Sequence, residues 1–166
     1  DKHRMRIFSL LMRPLSWLYG LILWIRHWLY DRGLLFSKSF DQPLIKIGNL
    51  SLGGTGKTPM TIFIAEYLSE RYKVYILSRG YGGKSKGVQE VDITSAADVV
   101  GDEPLMMKKR LANVQVFVSN DRVAGIHHIN TIDPSRKVIL LDDSLQHRPL
   151  AGGFQILLTD IQCIFS

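Results

Sequence analysis

Lys57 and Thr58 follow a glycine-dense stretch, Gly48-Asn49-Leu50-Ser51-Leu52-Gly53-Gly54-Thr55-Gly56, and the acidic pair Asp142-Asp143 closes an apolar run from Val138 to Leu141. Together these residue types can hold a phosphate chain and its counter-cation. Gly53, Gly54 and Gly56 let the backbone approach phosphate oxygens with no Cβ in the way, and Thr55 is a small residue in the same loop. Lys57 supplies a mobile positive charge for the outer phosphates, and the Thr58 hydroxyl is placed to ligate Mg²⁺. The ending Gly56-Lys57-Thr58 is that of a P-loop. The general G-x-x-x-x-G-K-[ST] spacing asks for glycine at position 51, where this chain has Ser51. An aspartate at the end of a buried strand adds a magnesium-side carboxylate, although four apolar residues followed by Asp also describe a strand meeting a turn.

Such a loop works only between a strand and a helix, where free N–H groups meet the positive helix terminus. The surrounding pattern predicts that context. Leu44–Ile47, Val74–Leu77, Val114–Val118, Val138–Leu141 and Phe154–Leu158 read as short apolar strands, most of them separated by helical stretches such as Thr61–Arg71 and Glu103–Leu111. The fold class predicted is α/β, a mostly parallel sheet flanked by helices. Gly80 to Val88, rich in glycine and lysine, reads as a mobile loop. Arg122, opening a helix, is a candidate for the γ-phosphate. His127 and His128 read as structural.

Residues 1–40 form a separate region, and 41–166 the core. The first forty hold seven Lys or Arg against two Asp, nearly all of the net charge of +6, together with Trp17, Trp24 and Trp28. Pro14 to Ile25 is uncharged but shorter than the roughly 20 apolar residues a spanning helix needs. The segment therefore predicts a helix lying at an anionic membrane surface, with packing on the core as the alternative. A basic excess placed on an apolar, tryptophan-rich stretch argues against nucleic acid as a partner. The single Cys163 excludes an internal disulfide framework and suits a reducing compartment. At 166 residues the chain is long enough for one real core.

Four segments in order carry a resemblance: Gly48-Asn49 with Gly53 to Pro59, Ser78-Arg79-Gly80-Tyr81-Gly82, Val100-Gly101-Asp102-Glu103-Pro104, and Asp142-Asp143-Ser144-Leu145-Gln146-His147-Arg148. The chain resembles the tetraacyldisaccharide 4′-kinase family. Ser51 matches the small hydroxyl residue common in that family, and Ser144 stands where the family often has glycine.

The resemblance implies ATP- and Mg²⁺-dependent phosphorylation of the 4′-hydroxyl of a lipid A disaccharide precursor, at the cytoplasmic face of the bacterial inner membrane, by a monomeric protein. It makes Lys57 and Thr58 phosphate and metal contacts, and Asp142, Asp143 and Glu103 the carboxylates near Mg²⁺. Asp102 becomes the acceptor of the sugar hydroxyl proton, Gln146 and His147 line the site, and Arg79 and Tyr81 meet nucleotide or lipid. Read without the resemblance, Asp102-Glu103-Pro104 is an ordinary helix start with Asp102 as N-cap. The family also has a second, smaller domain, so residues 1–166 alone are expected to show at most trace kinase activity. The other reading is a membrane-attached nucleotide-binding module without catalysis. A guanine-reading Asn-Lys-x-Asp is missing, which disfavours a GTPase.

Overall fold

The computed structural model of the chain describes residues 16–17, 19–25, 28–29, 32, 37–49, 56–143 and 150–159. Contacts divide the chain into two units, Asp1–Ser37 and Lys38–Ser166. In the first unit, residues 19–25 are helical, with Trp17, Leu21, Ile22, Trp24, Ile25 and Trp28 all exposed. The Arg32 guanidinium lies 5.1 Å from the centre of the Trp28 ring, a cation–π distance. Among the described residues no helix is long and apolar enough to cross a membrane.

The second unit is built on a six-stranded sheet. Its strands are β1 (Leu44–Asn49), β2 (Lys73–Ser78), β3 (Val88–Val91), β4 (Gln115–Ser119), β5 (Lys137–Asp142) and β6 (Phe154–Leu158), in the spatial order β3-β4-β2-β5-β1-β6. All neighbours run parallel except the β3–β4 pair, which is antiparallel. The helices are α1 (Lys57–Ser69), α2 (Ala97–Val100), α3 (Asp102–Arg110) and α4 (Arg122–Ile132).

Strand alternation explains the layering. In β2, Val74 and Ile76 join the cluster formed with Ala65 of α1 and Leu105 and Met107 of α3. Tyr75 and Leu77 point to the other face, onto Ile126 and Ile129 of α4. The β5 strand lies buried along its whole length, which is why its sequence is an unbroken apolar run rather than an alternating one. Helix α4 approaches the sheet closely at Gly125, where a Cβ would lie 2.7 Å from the Leu77 side chain.

At the amino ends of β2 and β5, Asp133 ties the sheet to the α4 exit. It accepts hydrogen bonds from Tyr75 Oη at 2.7 Å and from the Ser135 backbone N–H at 3.0 Å, and it pairs with Lys73 at 3.0 Å. The Ser135 hydroxyl, the Tyr75 hydroxyl and the Lys73 ammonium hold its carboxyl well below the ordinary carboxylate range. All this lies at the opposite end of the strands from the candidate site.

The segment read as a loop has neither helix nor strand over residues 80–87, and hydrogen bonds tie it to its surroundings. Gly83 N–H donates to Gly80 O at 2.9 Å, and Lys84 and Ser85 N–H groups donate to Asp98 and Val99 carbonyls of α2, each at 3.0 Å. Val88 then opens β3, an edge strand absent from the sequence expectation. Its first three residues are partly or fully exposed, with Gln89 and Glu90 in the middle and only Val91 buried, so it carries no apolar periodicity to read.

Candidate active site

Strands β1, β2, β4 and β5 all end on one side of the sheet, the side where open α/β sheets bind ligands. Gly56 precedes α1 in the left-handed region, φ 79°, which glycine adopts without strain. The helix that follows has no side-chain cap and no acidic residue in its first turn. Among the described residues no side chain caps its leading N–H groups, and such an uncapped helix start, with its dipole, suits an external anion.

A pocket of about 540 Å³ opens at this edge, lined by Lys57, Asp102, Glu103, Asp142 and Asp143 together with Ser78, Pro104 and the Arg79, Tyr81, Gly82 turn. Lys57 Nζ lies 2.9 Å from Asp143 Oδ1, with the lysine side chain 22% exposed. Asp143 has φ 54°, an uncommon conformation that a short polar side chain tolerates. Asp142 is buried, accepts a hydrogen bond from Ser78 Oγ at 3.3 Å through Oδ2, and leaves Oδ1 with no hydrogen-bond partner. Burial, and then the neighbouring Glu103 charge, raise the proton affinity of its carboxyl, against the pull of Lys57 and Arg122.

Asp102 and Glu103 open α3. The N-cap is Gly101, at φ 91°, and no side chain caps the helix. Asp102 is therefore free for the pocket instead of being used as the N-cap that an isolated reading of Asp-Glu-Pro suggests. A Cβ on Gly101 would lie 2.9 Å from the Tyr81 carbonyl oxygen, so the turn bearing Asp102 and the turn bearing Arg79 and Tyr81 meet there.

Of the residues picked out from sequence, Lys57, Asp102, Glu103, Asp142, Asp143, Arg79 and Tyr81 share this pocket. Thr58 is buried as the second residue of α1 and is not on the wall. Arg122 departs from expectation. It is 3% exposed, donates to the Ser119 carbonyl at 3.4 Å and to the Asp142 carbonyl, and is not on the wall either. Burial pulls its pKa down to about 10, opposed by the charges of Asp142 and Asp143. It links the end of β4 to the end of β5 across the intervening β2. Gly53, Gly54, Thr55, Gln146 and His147 lie outside the described residues. Ser78 is the site residue that sequence reasoning passed over. Its signal was a small hydroxyl closing a buried strand.

Asp142 makes the metal-free stability pH-dependent. Its folded pKa is raised, so the stabilisation is present below its unfolded value and is lost as pH rises through the folded one. Without metal, the thermal midpoint is expected to fall more in the wild type than in Asp142→Asn as pH rises from the ordinary carboxylate range through the raised folded value. Asp133, shifted the other way, loses its contribution only at more acidic pH. Parallel midpoint profiles of the two proteins in EDTA would refute the assignment.

A parallel sheet with an uncapped helix start, a lysine and paired carboxylates at one strand edge defines a phosphate-binding α/β domain of the P-loop kinase kind. Residues 8–166 match the family model described as tetraacyldisaccharide-1-P 4′-kinase, LpxK. The chain is 43% identical over 162 residues to the tetraacyldisaccharide 4′-kinase of Flavobacterium johnsoniae, covering 98% of this chain and 48% of that protein. It is 44% identical over 166 residues to that of Bacteroides thetaiotaomicron, covering 99% of this chain and 43% of the other. It also superposes on the crystal structure of LpxK from Aquifex aeolicus in complex with ATP, with a TM-score of 0.78 and 39% identity over 92% of this chain and 49% of that one. The chain belongs to the tetraacyldisaccharide 4′-kinase family, and it spans about half the length of these relatives.

Proposed function

We propose that this chain carries the ATP-binding, phosphoryl-transferring half of a tetraacyldisaccharide 4′-kinase, which moves the γ-phosphoryl group of ATP to the 4′-hydroxyl of a lipid A disaccharide precursor. One observation carries the reading: Lys57, Asp102, Asp142 and Asp143 converge on a single pocket at the carboxyl edge of the sheet. Lys57 is suited to the β- and γ-phosphates, and the uncapped start of α1 to the rest of the phosphate chain. Among the described residues no group of three acidic, histidine or cysteine side chains is gathered to hold a metal. Asp142 and Asp143, with Asp142 Oδ1 buried and without a hydrogen-bond partner among the described residues, nonetheless suit Mg²⁺, which binds through one or two carboxylates while sharing its other positions with phosphates and water. Glu103 lines the same pocket. The ion supplies charge neutralisation on the transferring group. Asp102 accepts the proton of the attacking hydroxyl, and Arg79 and Tyr81 contact nucleotide or lipid. Gly53, Gly54, Thr55, Thr58, Gln146 and His147 complete the nucleotide side on the strength of the family resemblance.

The assay is transfer of label from γ-labelled ATP to a detergent-dispersed tetraacyldisaccharide 1-phosphate in the presence of Mg²⁺. From residues 1–166 alone, a trace of 4′-phosphorylated product that depends on Asp102 is the expected result. Binding of Mg-ATP with no acceptor phosphorylated would favour the second reading, a membrane-attached nucleotide-binding module. No binding of Mg-ATP would remove both.

Residues 1–40 are assigned to the cytoplasmic face of the inner membrane as a peripheral anchor, and 41–166 to a monomeric kinase core. The exposed tryptophans and isoleucines of the helical stretch support this, with each basic residue near an anionic leaflet worth about 1 kcal/mol. Deleting residues 1–36 is expected to abolish most co-sedimentation with anionic vesicles, and salt to release part of the binding of the intact chain. Undiminished co-sedimentation of the deletion would place the membrane contact elsewhere.

A further inference from the structure

Ser78 closes β2 beside the end of β5. The two strands pair in parallel up to Leu77 opposite Leu141, so Ser78 and Asp142 are the next neighbours where the pairing stops. The serine is 4% exposed, and its hydroxyl donates to Asp142 Oδ2 at 3.3 Å. Both residues line the pocket. Asp142 Oδ1, although buried, has no hydrogen-bond partner.

The two oxygens of a carboxylate are equivalent and the group turns about its last bond in a broad, two-fold well, so burial alone does not fix the angle of its plane. The Ser78 hydroxyl biases that angle. It occupies Oδ2 and leaves the lone pairs of Oδ1 as the ones available to a cation. Buried oxygens without partners are costly, and the arrangement makes sense when a ligand completes them.

We propose that Ser78 is a positioning residue for the cation of the bound nucleotide: by holding Oδ2 of Asp142 it presents Oδ1 to Mg²⁺. The inference rests on the Mg-ATP reading of the pocket. Outer partners of this sort typically matter 10- to 100-fold in metal affinity, whereas a hydroxyl that served only to satisfy the strand end would affect stability without regard to metal.

The experiment compares wild type, Ser78→Ala and Ser78→Cys by calorimetric titration with ATP in Mg²⁺ and with ATP in EDTA, alongside thermal midpoints. Ser78→Cys keeps close to the serine volume with a weak donor, and carries the test if the alanine variant does not fold. The expected result is a loss of about 10-fold in Mg-ATP affinity with metal-free ATP affinity unchanged within about twofold. An equal loss with and without metal, or wild-type Mg-ATP affinity in both variants, would overturn the proposal. A wild type that fails to bind Mg-ATP overturns the reading of the pocket itself, a result distinct from wild-type binding that the Ser78 variants leave intact.

Discussion

Lys57→Ala is expected to weaken Mg-ATP binding roughly 10- to 100-fold while leaving the domain folded. Hydrogen bonds to charged groups contribute about 1.5–3 kcal/mol each, and at 1.4 kcal/mol per factor of ten that sets the range. Stability should move little, because the Lys57–Asp143 pair is partly exposed, with side chains 22% and 51% accessible, and pairs of this kind contribute about 0–1 kcal/mol. The variant also strips Asp143 of its counter-charge. An unneutralised carboxylate then faces the incoming phosphates, which pushes the loss toward the upper end. Asp143→Asn separates the two effects: it releases Lys57 and removes the repulsion, so ATP binding in EDTA should hold or tighten. Calorimetry on the three proteins decides the matter. Equal Mg-ATP affinity of wild type and Lys57→Ala would remove the phosphate role from this lysine.

Most of the sheet could be read from the sequence because its strands are buried on both faces. The β5 strand is buried throughout and shows as Val138-Ile139-Leu140-Leu141, and β2 shows as Val74-Tyr75-Ile76-Leu77 for the same reason. The edge strand β3 escaped because edge residues need no apolar pattern: only Val91 is fully buried, and pairing with β4 defines it. The start of α1 was placed too late, at Thr61 instead of Lys57. A glycine-to-lysine-threonine-proline start has no side-chain cap among the described residues to announce it.

Within the site, chemistry-bearing residues were legible where their type is unusual for their place. An acidic pair ending an apolar strand, and a lysine directly after glycines, both run against packing logic and therefore point to a ligand. Arg122 shows the limit. From sequence it is a lone cation at a helix start, and nothing local tells that its guanidinium is buried against the Ser119 and Asp142 carbonyls, since that depends on β4 and β5 ending at one edge of the sheet on either side of β2. Ser78 shows the converse limit. A serine after a strand is ordinary until the pairing register sets it against Asp142.

Asp102→Asn is expected to remove the trace of 4′-phosphorylation that residues 1–166 show at saturating ATP, because a positioned general base is typically worth about 10²–10⁴-fold. The residue is exposed on the pocket wall at the first position of α3, and no cap bond engages its carboxylate. A sugar hydroxyl is a poor nucleophile, and most of the rate in phosphoryl transfer comes from positioning and charge neutralisation, which Lys57 and the metal-side carboxylates supply. The substitution should therefore leave Mg-ATP affinity within about twofold, since asparagine keeps the volume and Lys57 pairs with Asp143 rather than with Asp102. Its neighbour provides the contrast. The Glu103 charge acts on the proton affinity of Asp142, so Glu103→Gln should change how the rate depends on Mg²⁺ concentration more than the rate at saturating metal. Two adjacent acids at one helix start would then separate by readout, one by maximal rate and the other by metal dependence. Full activity of Asp102→Asn at saturating ATP and Mg²⁺ would show that the hydroxyl proton leaves by another route. A matching loss in Mg-ATP affinity would make Asp102 a part of the nucleotide site instead of the base.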